Sequence, residues 1–231
     1  MKKIGFMIKD INIESKTSID IVFMIDLTGS MGYYINQAKL NLYNIVNRIM
    51  SECPAITINI GLVGYRDITE YLNGFYTNID LTNNYTYLES VINSLYPSGG
   101  GDLPEDVAGA LEMTLHKSWK NNARFAILIG DAPCHGTFCH NGFLDNYPNG
   151  VPGQRNITEI VKDLAENNIS LFIMRITTDA DKMLYMFLDI YKNYNNVEFH
   201  VDNMNSANQA FANIVVEAAK RVYINQRNNE S

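Results

Sequence analysis

The sequence predicts an α/β fold: a doubly wound, mostly parallel six-stranded sheet with helices on both faces and one antiparallel edge strand. Three observations lead there. Two near-continuous apolar runs, Ile19 to Ile25 and Phe125 to Ile129, read as central strands covered on both faces. Each run stops at a carboxylate, Asp26 and Asp131 respectively. Between and after them, segments with apolar residues three and four apart alternate with further strand-like runs, the order that builds a parallel sheet through helical crossovers.

Taken in order, Ile35, Ala38, Leu42, Ile45 and Ile49 form one stripe of a helix that follows the first strand, with Pro54 marking the exit. Ile56 to Tyr65 reads as the next strand, and Tyr71 to Thr77 as a short edge strand after a turn at Asp67. Leu88, Val91, Ile92 and Leu95 give a short helix, and Pro97 to Gly101 a glycine-rich loop. A helix is expected from Pro104 through His116, then the strand Phe125 to Ile129. Helix Ile157 to Leu164, strand Ile169 to Ile176, helix Leu184 to Tyr191, strand Val197 to Val201 and a closing helix Ala207 to Val222 complete a Rossmann-like order. The connection 132–155 is rich in Pro, Gly and Asn and shows no periodicity. It far exceeds the roughly 2 to 6 residues usual for such links, and loops of that length are functional or disordered.

Composition narrows the function. The chain has 231 residues, 46% of them hydrophobic, enough for one domain with a full core, expected over 1–231 with its centre at about 18–222. A formal charge of -7 without a Lys/Arg cluster argues against a nucleic-acid partner, because such binding rests on neutralising phosphates. No apolar stretch approaches the roughly 18 residues of a membrane span. Three cysteines, Cys53, Cys134 and Cys139, form an odd set, and the first ten residues are too weakly apolar for a leader. A soluble protein in the reducing cytoplasm is the expectation.

The chemistry gathers at the carboxyl edge of the sheet, where open α/β sheets place their ligands. Asp26, Thr28 and Ser30 alternate on the turn after the first strand; the loop Gly99 to Glu105 brings Asp102 and Glu105; the second central strand ends at Asp131. Carboxylates this close repel unless a cation lies between them. A donor set of hydroxyl and carboxylate oxygens, without His or Cys, selects a hard ion such as Mg²⁺, with Mn²⁺ or Ca²⁺ as alternatives.

Asp26-Leu27-Thr28-Gly29-Ser30 resembles the Asp-x-Ser/Thr-x-Ser signature of the von Willebrand factor A domain family and its metal-ion-dependent adhesion site, over about Ser18 to Val222. Gly101-Asp102-Leu103-Pro104-Glu105 is similar to the integrin-β-type second loop, and with the loop Asp131 to Gly136 also to A domains associated with alpha-type protein kinases. The resemblance implies a site built from Asp26, Thr28, Ser30, Glu105 and Asp131. A second, synergistic metal site would use Asp67, Asp102 and the Pro104 carbonyl beside Glu105, although Gly100 replaces the family's Asn. Gly32, Tyr33 and Tyr34 stand where integrin-β domains carry the acidic residues of a third, regulatory site.

The implied function is non-catalytic: a cation engages an acidic residue of a protein partner, with Glu105 tuning the net charge. A phosphotransfer or phosphohydrolase enzyme and an inert scaffold are the alternatives. The enzyme reading wants a second Asp where Thr28 stands, and no Gly-Lys-Ser/Thr follows the three glycines. Blander roles are open to several residues. Asp67 could close a turn or pair with Arg66, and Asp102 could cap the helix at Pro104. Cys134, His135, Cys139 and His140 lack the spacing of a structural zinc site, and a Cys134 to Cys139 disulfide is not expected in a reducing setting. Phe138, Phe143 and Tyr147 serve either as partner anchors or as cover for the sheet.

Overall fold

The computed structural model describes residues 5–6, 17–68, 76–204 and 209–229. Six strands form one sheet in the order β3-β2-β1-β4-β5-β6, with β1 Thr17–Asp26, β2 Ile56–Tyr65, β3 Thr77–Thr82, β4 Arg124–Gly130, β5 Ile169–Arg175 and β6 Phe199–Asn203. Every neighbouring pair is parallel except β2 and β3. The helices are α1 Ile35–Glu52, α2 Tyr85–Ser94, α3 Val107–Leu115, α4 Ile157–Glu166, α5 Asp181–Tyr191 and α6 Gln209–Asn229, with a short 3-10 turn at Gly29–Tyr33.

Period-two alternation sorts β1 between two cores. Ile19, Ile21, Phe23 and Ile25 pack with α1, α2 and α6, whereas Val22 and Met24 pack with α3, α4 and α5. Because both faces are covered, every residue of β1 from Ile19 onward must be buried, which explains a run with no polar alternation. At its amino end the buried Asp20 accepts hydrogen bonds from the Lys120 and Asn121 backbones and the Asn59 and Asn121 side chains. That carboxylate is therefore satisfied and pins the edge remote from the candidate site.

The strand order reverses between β1 and β4, whose carboxyl ends open a crevice. Asp26 and Asp131 follow those two strands.

Three expectations are corrected. The edge strand is Thr77–Thr82 rather than Tyr71 to Thr77, and 71–75 lies outside the described residues. The helix expected from Pro104 begins at Val107, because Asp106 caps it by accepting from the Gly109 amide at 2.8 Å. The strand expected over Val197 to Val201 is displaced to Phe199–Asn203. Among the described residues no helix is long and apolar enough to cross a membrane.

Candidate metal centre

Backbone bonds stitch the first loop into place. The Leu27 amide donates to the Tyr65 carbonyl at 2.8 Å, the Ser98 amide to the Leu27 carbonyl at 2.8 Å, and the Gly29 amide to the Gly99 carbonyl at 2.9 Å. The turn after β1 is thereby fixed against the end of β2 and the glycine loop. Within it, the Thr28 amide and hydroxyl donate to Asp26 Oδ1 at 2.8 and 2.7 Å, and Thr28 Oγ1 lies 3.1 Å from Ser30 Oγ. Three side-chain oxygens on five residues thus gather on the turn.

Glu105 arrives through the second loop. Its amide donates to the Pro133 carbonyl at 2.9 Å, and it pairs with Cys134 in an isolated parallel bridge, tying it to the loop that carries Asp131. Gly100 adopts φ +87°, and a Cβ there would lie 3.0 Å from Glu105 Oε1 and 3.4 Å from Thr28 Cβ. Both the backbone conformation and the close approach require glycine.

Asp26, Glu105 and Asp131 are all buried, and one oxygen of each, Asp26 Oδ2, Glu105 Oε2 and Asp131 Oδ1, has no hydrogen-bond partner in the protein. Burial first, and then the charge of Asp131, pushes Asp26 up from 3.8 to about 7, against the Thr28 bonds. Glu105 is pushed up to about 10 by burial and by the charges of Asp26, Asp67, Asp131 and Asp102. An orphaned buried acceptor costs on the order of 1–3 kcal/mol, a cost that protonation of the carboxyls or a cation between them would relieve. The hard oxygen set fits a divalent ion of the Mg²⁺ type.

Sequence reasoning missed Tyr65. Its hydroxyl is buried without a partner, and a Cβ built on Gly130 would stand 2.6 Å from it and 3.3 Å from Asp26 Cβ. An apolar-looking position at the end of β2 gave no signal that its polar tip would reach the carboxylates.

The residues foreseen for a second ion are brought together only in part. Among the described residues, the group whose ligand atoms all lie within 4.8 Å of one another is Asp67, Asp102 and His135. The carboxylates of Asp26, Glu105 and Asp131 do not form so tight a set. Asp102 does not cap α3; its Oδ2 accepts from the Asn146 amide at 2.6 Å. Asp67 Oδ1 lies 3.0 Å from His135 Nε2 and accepts from the Ile68 amide at 2.5 Å.

The long loop folds back on itself. His135 Nδ1 lies 2.8 Å from Asp145 Oδ1, and His140 Nε2 lies 3.0 Å from Asp145 Oδ2. Burial alone would lower the His135 pKa, but its bonds to Asp67 and Asp145 outweigh it and hold the ring above its ordinary value. Burial would likewise raise Asp145, yet bonds from both histidines and from the Gly136 and Tyr147 amides hold it down at about 2. The Tyr147 ring meets His135 edge-on at 5.0 Å, and Phe143 lies 5.7 Å from His140. Of the three aromatics, Phe138 alone is exposed, at 39%. Cys134 and Cys139 pair as a disulfide with Cα atoms 5.7 Å apart, against the expectation of free thiols, and this removes both sulfurs from any zinc site. The turn at Gly136 brings the two sulfurs together despite their short separation.

A family model described as von Willebrand factor A domain matches residues 20–141. The alpha-protein kinase vwkA of Dictyostelium discoideum is 28% identical over 178 residues, covering 77% of this chain and 28% of that protein, so the chain spans little more than a quarter of its relative. The pilus adhesin SpaC from Lactobacillus rhamnosus GG in its open conformation superposes with a TM-score of 0.61 at 14% identity, over 89% of this chain and 30% of the other. The SpRpn10 VWA domain gives 0.55 at 14% identity, over 88% and 94%. These structures share the fold, and since the matched family model spans more than half of the sequence, the chain belongs to the von Willebrand factor A domain family.

Proposed function

We propose that the chain is a non-catalytic, metal-dependent protein-binding module that engages an acidic residue of a partner. The observation that carries the reading is the orphaned oxygen on each of Asp26, Glu105 and Asp131, three buried carboxylates delivered by three loops to one edge. With Thr28 and Ser30 these residues would hold Mg²⁺, or Mn²⁺ or Ca²⁺, and the bound ion would offer an open position to a carboxylate. Asp26 anchors the set through its bonds to Thr28, and Glu105 sets the net charge. A rim suited to a protein surface supports the reading: Tyr33, three residues after Ser30, is 89% exposed, and Tyr96, two before Ser98, is 55% exposed.

Domains of this family often mediate protein interactions. The adhesin and the kinase named above fit a role as a recruiting part of larger proteins. The enzyme alternative is the weaker reading, because Thr28 occupies the place where an aspartyl-phosphate enzyme would carry a second Asp.

Selection from a displayed peptide library tests the proposal. Asp- or Glu-containing peptides should be enriched in Mg²⁺, and the enrichment should vanish with EDTA and in Asp26→Ala. Enrichment that ignores EDTA, or shows no acidic preference, would overturn it. A cytoplasmic location belongs to the same proposal; the reducing environment there would open the Cys134–Cys139 disulfide to a dithiol. Thiol titration under denaturing conditions on protein isolated with rapid alkylation should then find three modified cysteines, whereas one would contradict the cytoplasmic setting.

A further inference from the structure

We propose that Tyr65 is a positioning residue for the cation site, a role that rests on the metal reading above: its buried hydroxyl donates to the free oxygen of Asp26 and holds that carboxylate in place for the ion. Asp26 and Tyr65 are direct partners in the parallel pair of β1 and β2, and Gly130 follows Ile129, the β4 partner of Ile25. The three residues therefore form one row across β2, β1 and β4. Period-two alternation puts Asp26 on the face of Val22 and Met24, where Val63 and Tyr65 also pack. The Leu27 amide, bonded to the Tyr65 carbonyl at 2.8 Å, locks the two backbones together at this point. Because Gly130 has no side chain, the Tyr65 ring reaches along the row past Asp26 and its hydroxyl fills the space left there. A Cβ on Gly130 would meet that hydroxyl at 2.6 Å, Asp26 Cβ at 3.3 Å and Asp26 Oδ2 at 3.5 Å.

A buried tyrosine hydroxyl ordinarily finds a partner, yet Tyr65 is 1% exposed and its oxygen has none. Asp26 Oδ2, Glu105 Oε2 and Asp131 Oδ1 are likewise buried and unpartnered, and once ionised these carboxylates can only accept. Tyr65 brings the missing donor. Burial, and then the charges of Asp26, Asp131, Glu105 and Asp106, hold the phenol well above its ordinary pKa, so it keeps the proton it has to give. Thr28 already grips Asp26 Oδ1 through its amide and hydroxyl, which leaves Oδ2 as the oxygen for Tyr65 to hold. A carboxylate oxygen has two lone pairs, so this bond still leaves one free toward the ion. A hydrogen bond to an ionised carboxylate is about twice as strong as one between neutral groups, and outer partners of this kind fix the direction of a ligating side chain.

Calorimetric titration of Mg²⁺ into EDTA-stripped protein, paired with thermal melts in EDTA, provides the test. Tyr65→Phe keeps the ring and removes the donor. Its Mg²⁺ affinity should fall about 10–100-fold, the usual cost of removing such a partner. Its melt in EDTA should be no lower than that of the parent, because the hydroxyl is idle without the ion. Replacing Tyr65 by 4-aminophenylalanine, which restores an N–H donor at the same place, should recover most of the lost affinity. A merely structural tyrosine would instead lower the EDTA melt and leave Mg²⁺ affinity unchanged. That outcome, or an amine that fails to recover the affinity, would overturn the role of Tyr65 and leave the metal reading standing. A parent protein that takes up no Mg²⁺ would overturn both.

Discussion

Replacing Asp26 by Asn should stabilise the metal-free protein while abolishing its cation site. Asp26 is fully buried, and its carboxyl is pushed from 3.8 to about 7 by burial and by Asp131. Between those values the folded chain binds more protons at this group than the unfolded chain, so its stability falls as pH rises from about 4 to 7. At roughly 1.4 kcal/mol per pH unit, keeping this group in the fold costs about 4 kcal/mol at pH 7. The amide of Asp26→Asn keeps an Oδ1 to accept from the Thr28 amide and hydroxyl, and gains an NH₂ that can donate toward the unpartnered Asp131 oxygen. Allowing for relaxation of the site, the variant should be about 2–4 kcal/mol more stable in EDTA at pH 7, a rise in Tm of roughly 5–15 °C. The gap should shrink below about 1 kcal/mol at pH 4, close to the unfolded value of 3.8, where the folded carboxyl is protonated and the unfolded one is only partly ionised. Thermal and urea melts at the two pH values in EDTA measure it. A variant no more stable than the parent at pH 7, or a gap that does not change with pH, would refute the electrostatic reasoning.

Glu105→Gln should bind acidic peptides several-fold more tightly in Mg²⁺, because three carboxylates over-neutralise the ion; unchanged or weaker binding in calorimetry would count against charge tuning. Ser30 is exposed, so Ser30→Ala should leave stability within about 0.5 kcal/mol while Mg²⁺ affinity drops roughly tenfold; a large loss in the melt would mean the residue is structural instead. Gly130→Ala should cost about 1–3 kcal/mol by driving a Cβ into the Tyr65 hydroxyl, and Tyr65→Phe in the same chain should recover most of it. Failure of that rescue would place the strain elsewhere.

The sequence made the central layer legible because burial on both faces leaves an unbroken apolar signature. β2 was expected at Ile56 to Tyr65 and lies there, and the Ile35 to Ile49 stripe packs in the core as α1. Weaker elements moved. In β3 only Ile79 and Leu81 are strongly apolar, and they sit half-buried at an edge, so the more aromatic stretch before it drew the expectation. Pro104 looks like a first helical residue, but the cap is Asp106, two residues on. At the site, the oxygens before and after Gly29 were legible from alternation on a turn, and Glu105 and Asp131 from their places after a glycine loop and a strand. The His135, His140 and Asp145 network was not, because a loop carries no period and nothing local couples positions ten residues apart. The weak cue was a lone Asp in the loop that also carries two histidines.

The most direct measurement is calorimetric titration of Mg²⁺ into the EDTA-stripped domain and into Asp26→Ala. Saturable binding to the intact domain, absent from the variant, is the predicted result. An intact domain that takes up no Mg²⁺, or a variant that binds it as well as the parent, would contradict the claim that these loops meet around a shared cation.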